Sequence, residues 1–513
     1  MHIFRKPRMA YRCSAAILAV LLACVGYATD QSARLNDLDA YISKSVKDWK
    51  VPGLAIAIVK DGQVVFSKGY GIRELGKPEP VDEHTLFAIG STTKAMTAAA
   101  LGMLVDKKKL QWDEPVTKYL PDFQLYDPYV TREVTVRDLL THRAGLGNAD
   151  LLWYGQDNSR KEILYRLRFL KPQTSMRSHF TYQNIMYVAA GEIVAAASGI
   201  PWEDFVRQRI FEPLGMKDTV PLLADTEGRP NVASPHYLID GSVRVIENAS
   251  VDPVAPAGSV WSSVHDMAKW MLFMLEEEGN KESLLSASTR EELFRPQFIV
   301  DRQEFYPTAR LTQPHWITYS LGWFQHDYNS RVVDFHTGSI DGMVAIIGLI
   351  RDERLGVYVL GNLDHAEVRH ALMYRVFDLY TEKPLRDWSI ELQKLYTELR
   401  EERETRRKKI EEERVPDTHP SLSLDKYAGT YSDPLYGTVS VAYDGRLVLR
   451  YGKGFVGELE HWHYDTFRAR WEAEWRGTDL VSFALNSKGH PDRLTLLGFT
   501  FKRDIPDKDD PVK

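Results

Sequence analysis

The stretch that most constrains this chain is Ile89-Gly90-Ser91-Thr92-Thr93-Lys94-Ala95-Met96-Thr97-Ala98-Ala99-Ala100-Leu101. Gly90 interrupts what precedes it, and Ser91 is a favoured residue at a helix start. The Ala/Met/Leu-rich run that follows has no Gly or Pro before Gly102 and reads as a buried helix. Ser91 and Lys94, three residues apart, share one face of it. A serine hydroxyl attacks only when a base takes its proton, and a desolvated lysine can be neutral enough to do so. The positive end of the helix lies where an oxyanion would form. By itself this spacing is common, so partners are needed elsewhere.

The chain has 513 residues, too many for one ordinary domain. Hydrophobic content of 44% suits a globular protein, and a net charge of −6 argues against nucleic acid as a partner. Residues 1–28 read as an export signal: basic Arg5, Lys6, Arg8 and Arg12, an apolar core Ala15 to Val25, and a small-x-small end at Gly26-Tyr27-Ala28. That core is short of the roughly 20 residues a span needs. A periplasmic or secreted protein is expected, with lipidation at Cys24 the lesser alternative. Cys13 and Cys24 both fall in this segment, so a mature chain has no thiol for a disulfide, metal site or nucleophile. No membrane segment is expected in it.

Residues 33–49 carry helical spacing, and two apolar strands flank Asp61-Gly62 as a hairpin. Helices and loops follow to about residue 260, then strands at 331–335, 343–350 and 356–360 and a helix at 366–380. Residues 386–416 read as a charged, solvated linker helix with i,i+4 pairs such as Glu402/Arg406 and Arg407/Glu411. Residues 417–513 turn to short strands at regular spacing, a small antiparallel barrel. His461 and His463 share a strand face; with no carboxylate or cysteine to complete a metal site, they read as packing.

Two segments supply the partners of Ser91. Phe180-Thr181-Tyr182-Gln183-Asn184 offers a phenol and an amide ahead of a helix at 185–197. A tyrosine near a lysine can lose its proton and serve as general base, and Asn184 can hold both a substrate carbonyl and the lysine. His336-Thr337-Gly338-Ser339 ends a strand, and Gly338 permits a close approach that pairs the Ser339 N–H with the Ser91 N–H as an oxyanion hole.

With these residues in order, the chain resembles the serine β-lactamase and penicillin-binding-protein superfamily, in its class-C-like branch with D-aminopeptidases, D,D-carboxypeptidases and esterases. Ser91-x-x-Lys94, Tyr182-x-Asn184 and His336-Thr337-Gly338 carry the resemblance over about residues 35–380; Pro256-Ala257-Gly258 supports it. It implies an α/β fold, an antiparallel sheet flanked by helices plus an all-helical subdomain, at 29–385; the tail resembles a lipocalin-like domain. It implies Ser91 as the acylated nucleophile, Lys94 and Tyr182 as the proton shuttle, and Asn184, His336, Thr337, Gly338 and Ser339 as substrate-binding, with no metal or cofactor. The expected substrate is a short peptide, D-residue-containing, or an ester; a β-lactamase and a slowly acylating penicillin-binding sensor are the alternatives. Histidine at 336, where β-lactamases usually carry lysine, ranks β-lactams lower. A homo-oligomer is left open.

Overall fold

The computed structural model describes residues 33–275, 283–381 and 384–504. The expected export signal lies outside them, as do both cysteines. A helix over residues 33–48 precedes β1 (Gly53–Lys60) and β2 (Gln63–Gly71). These are joined at Asp61-Gly62, both at positive φ as a tight hairpin turn requires. The other sheet strands come late: β3 (Phe298–Ile299), β4 (Ile317–Tyr319), β5 (Phe324–Tyr328), β6 (Arg331–Ile340), β7 (Met343–Ile350) and β8 (Leu355–Gly361). Their order is β2-β1-β8-β7-β6-β5-β4-β3, with every pairing antiparallel.

Strand alternation divides the core in two. On β1, Ala55, Ala57 and Val59 face one cluster, with α1 (Thr93–Asp106), α2 (Ile185–Ser198) and α3 (Val264–Met274). Leu54, Ile56 and Ile58 face the other, with α4 (Val368–Tyr380) and the start of α5 (Trp388–Glu412). The small residues of α1 let it sit deep: every residue from Thr93 to Leu104 is buried, which is why its apolar pattern lacks a polar side. It runs through Gly102, where a Cβ would press on Thr289.

The charged linker is a helix, as expected, but its first half is not solvated. Trp388, Leu392 and Leu395 are buried, and Trp388 stacks on Tyr374 at 4.9 Å. The expected i,i+4 ion pairs along its second half do not form among the described residues; Glu411 instead faces Arg468 of the barrel at 3.6 Å. Exposed pairs of this kind contribute little, so side-chain freedom wins.

The C-terminal strands Gly429–Asp433, Gly437–Tyr443, Leu447–Tyr451, Phe455–His463, Thr466–Trp471, Thr478–Leu485, Pro491–Leu496 and Phe499–Arg503 close into an eight-stranded barrel. The sequence reading missed Phe455–His463 and ran the last two strands together, because Leu497-Gly498 turns the chain with little polar signal. The His461/His463 pair is engaged locally: His461 Nε2 lies 3.0 Å from the Tyr464 carbonyl, and Val415 N–H donates to His463 Nδ1. Of the tail's aromatics, Phe467 and Trp471 fill the barrel, whereas Trp475 reaches out of it. Among the described residues no single helix is long and apolar enough to cross a membrane.

Candidate active site

Ser91 does not cap a helix. It sits in a 3₁₀ turn, Gly90–Thr92, and α1 begins at Thr93 without a side-chain cap. This frees its hydroxyl, which lies 2.9 Å from Lys94 Nζ. The amine has two further neighbours at 2.8 Å, Asn184 Oδ1 and the Ala257 carbonyl, both acceptors. Burial draws Lys94 down to about 7, against the opposing pull of the Asp150 carboxylate.

A neutral amine has two N–H groups and one lone pair. Asn184 Oδ1 and the Ala257 carbonyl take the two protons, so the lone pair is left for the Ser91 hydroxyl. Asn184 cannot turn its amide round, because Nδ2 donates to both oxygens of Asp150 at 3.1 and 3.2 Å. Asp150 is in turn fixed by Trp153 Nε1 at 2.8 Å. The sequence reading missed both Asp150 and the Ala257 carbonyl. Backbone acceptors carry no side-chain signal, although Pro256-Ala257-Gly258 had stood out as a segment. The Asp150→Asn variant removes a negative charge beside the amine, which lowers its affinity for a proton. The alkaline-rising limb of the acylation rate is expected to move to lower pH by about half a unit to one unit, read as a pH–rate profile.

Tyr182 stands beside this pair, its phenol facing the Ser91 hydroxyl and its ring 4.8 Å from Lys94 Nζ. Desolvation pushes that phenol well above its usual range, so it stays protonated. Against the expectation of a phenol that gives up its proton to the lysine, burial therefore favours the protonated phenol, while the same burial favours the neutral amine of Lys94. His142, at positive φ, accepts the Gln183 N–H through Nδ1 and packs on the Tyr182 ring at 4.4 Å. It fixes the turn that carries Tyr182.

Strand β6 provides the opposite side. Gly338 is pressed against the Ser91 turn: a Cβ there would fall 1.9 Å from the Ile89 carbonyl oxygen and 3.0 Å from Ser91 N. A Cβ on Gly90 would fall 2.6 Å from Ser339 N. Register orients that N–H. Ile340 and Met343 close the two-residue turn of the β6–β7 hairpin, so Ser339 opposite Val344 is a non-hydrogen-bonded pair. Its N–H therefore points away from β7, on the edge that β5 leaves free beyond Phe335. The Ser91 and Ser339 backbone nitrogens thus both lie at the contact between Gly90 and Gly338.

His336 is 1% exposed, with Nε2 3.1 Å from the Tyr319 hydroxyl and Nδ1 2.6 Å from the Thr337 carbonyl. Burial draws it down to about 3, so it is neutral at working pH and has both nitrogens engaged within the protein. It packs near Tyr182, at 6.1 Å between ring centres, and braces that wall rather than offering a charge. Thr337 pairs with the Tyr306 hydroxyl at 2.6 Å.

The barrel touches this region. Trp475 Nε1 and the Tyr154 hydroxyl both donate to Asp341, in the turn just past Ser339. Arg476 lies over the Tyr154 ring at 4.2 Å. Elsewhere, Glu83, His84 and His265 bring their ligating atoms within 4.8 Å of one another, with His84 also paired to Asp218.

A sheet packed between helices, with a serine, a buried amine and a phenol converging at the start of the central helix, defines a class, and sequence comparison agrees. Residues 38–380 match the Beta-lactamase family, and the chain belongs to it. Residues 413–508 match a domain of unknown function, DUF3471. The chain is 29% identical over 498 residues to unguisins hydrolase ungD of Aspergillus violaceofuscus, covering 89% of this chain and 86% of that protein. It is 24% identical over 337 residues to protein flp of Staphylococcus aureus, covering 64% of this chain and 63% of that one. Among solved structures, the octameric penicillin-binding protein homologue from Pyrococcus abyssi superposes with a TM-score of 0.61 at 24% identity, covering 91% of this chain and all of that one. SurE superposes at 0.57 and 20% identity, covering 92% and 99%.

Proposed function

We propose that this protein is a serine hydrolase that cleaves short peptides, D-residue-containing ones foremost, or esters, through an acyl-enzyme on Ser91. The observation that carries the reading is the buried Lys94 amine, held near neutrality 2.9 Å from the Ser91 hydroxyl with its two protons already committed. Ser91 Oγ attacks the substrate carbonyl while its proton passes to Lys94. The oxyanion gathers between the Ser91 and Ser339 amides. Tyr182 gives its phenolic proton to the leaving group and regains one from Lys94; water then cleaves the ester by the same steps in reverse.

The preference for D-residues draws on SurE, which has been solved with D-Leu; hydrolysis draws also on the relative named unguisins hydrolase. The neutral, enclosed His336 supports peptide or ester cleavage over β-lactam cleavage, since it offers no standing positive charge to a carboxylate. We also propose export, on the pattern of residues 1–28, and a homo-oligomer, on the octameric relative.

The test is covalent labelling by a fluorophosphonate, with Ser91→Ala beside the wild type. The variant is expected to take no label while keeping its thermal transition; undiminished labelling would remove Ser91 as nucleophile. A panel of paired L- and D-aminoacyl amides, D-Ala-D-Ala peptides, short-chain esters and a chromogenic cephalosporin then separates the substrate classes. A burst without turnover on all of them would favour a sensor.

A further inference from the structure

Ser339 belongs to two places at once. Its N–H faces Ser91, but its side chain lies in a groove of about 1210 Å³ on the α4/α5 side of the sheet, where Arg369 Nη1 donates to its hydroxyl at 2.9 Å. The groove therefore opens one peptide unit from the point where a reacting carbonyl would sit. Among the described residues no strand pairs with β6 on this edge beyond Phe335, so Thr337 and Ser339, which line the groove, lie on an edge without sheet hydrogen bonds.

The far wall is α5. Gln393, Tyr396, Arg400, Arg403 and Arg407 line the groove at helical spacing, so one face of α5 runs along it. Fourteen rises of about 1.5 Å separate Gln393 from Arg407, making this wall about 21 Å long, room for roughly six extended residues.

Its charge is one-sided. Of the acids lining the groove, Glu367 is held by Arg369 at 3.1 Å and Asp48 by Lys44 at 2.5 Å. Asp364, mostly buried, accepts the Gly342 N–H, and burial raises it toward the neutral form. Arg400, Arg406 and Arg407 have no carboxylate within 4 Å among the described residues, and Arg403 donates only to the Leu399 carbonyl of its own helix. Glu404 is left as the one lining carboxylate of α5 against four arginines. Exposed guanidinium groups in a row bind carboxylates through paired hydrogen bonds.

We propose that this groove is an extended subsite for the carboxylate-bearing end of a peptide whose reacting carbonyl lies between the Ser91 and Ser339 amides, with Arg400 and Arg403 binding the carboxylate. The proposal rests on the serine-hydrolase reading. It makes specificity a property of the linker helix as well as the catalytic cleft, for substrates of about five residues or more. The carboxylate can be a free C-terminus, on the leaving side, or an acidic side chain.

Fluorescein-labelled hexa-alanine, in L and D series, tests this on the full chain carrying Ser91→Ala, by fluorescence polarisation. Each series is used as the free acid, as the C-terminal amide, and as the amide with aspartate at the fifth position. The free acid or the aspartyl peptide is expected to bind at least tenfold tighter than the plain amide, and which of the two does so identifies the carboxylate's source. Adding Arg400→Ala and Arg403→Ala together is expected to abolish that difference while leaving plain-amide binding unchanged. Arg400→Glu with Arg403→Glu should invert it. Equal binding of all three peptides, no binding by any, or indifference to the arginine variants would each overturn the proposal. Both arginines are exposed, so an unchanged thermal transition checks the fold. Fluorophosphonate labelling of the arginine variants with Ser91 intact should match wild type. Failure of labelling in every protein would count against the nucleophile, not the groove.

Discussion

Lys94→Ala is expected to slow fluorophosphonate labelling of Ser91 by about 10³-fold, within the range found when a positioned general base is removed. In the wild type the labelling rate should rise with pH through about 7, because only the neutral amine has a lone pair for the serine proton. No other group at the site supplies a limb in that range: burial holds His336 near 3 and the Tyr182 phenol well above 10. The same shift has a consequence for stability. The native lysine is drawn from 10.5 to about 7, so between those values the unfolded chain binds a proton the native one has released. This group's contribution to stability therefore rises with pH across that window and is flat below about 7. A Lys94→Ala protein that labels within threefold of wild type, or a wild-type profile flat from pH 6 to 8, would remove lysine from the base role.

Gly338→Ala should be nearly as damaging, for a different reason. The added methyl would lie 1.9 Å from the Ile89 carbonyl oxygen and 3.0 Å from Ser91 N, all of it backbone. Neither side has a flexible end that can swing away, so β6 must part from the Ser91 turn. Separating the Ser91 and Ser339 amides is expected to slow labelling about 10²–10³-fold, as when one oxyanion donor is lost. Loss of the close strand–turn packing should also destabilise the domain by about 1–3 kcal/mol, read by urea unfolding. Ser339→Ala is the control: it keeps the backbone N–H and should label within threefold of wild type. Wild-type labelling of Gly338→Ala would mean that the two amides do not act together.

Much of this site was legible in the chain because its chemistry is concentrated in short motifs. Ser91 and Lys94 are one helical turn apart, Tyr182 and Asn184 share a turn, and Gly338 is the only residue small enough for its place. Local patterns also gave the first hairpin, β7, β8 and α4, where apolar alternation or helical spacing runs unbroken. The reading failed where a contact, not a pattern, decides. Trp388, Leu392 and Leu395 look like the start of a charged rod until α4 is found to cover them.

Which groups could react was already written in the chain, since side-chain chemistry and spacing within a turn are local properties. Which of them is placed to act as base depends on the fold. That depends on how much water each group loses and on what its remaining protons touch: Ala257 and Asp150, 163 and 56 residues from Lys94 along the chain, set those terms for the amine. The arginines of α5 became a wall only when the fold laid them along the groove that Ser339 also lines, because a charge has no function until its distance to another group is fixed.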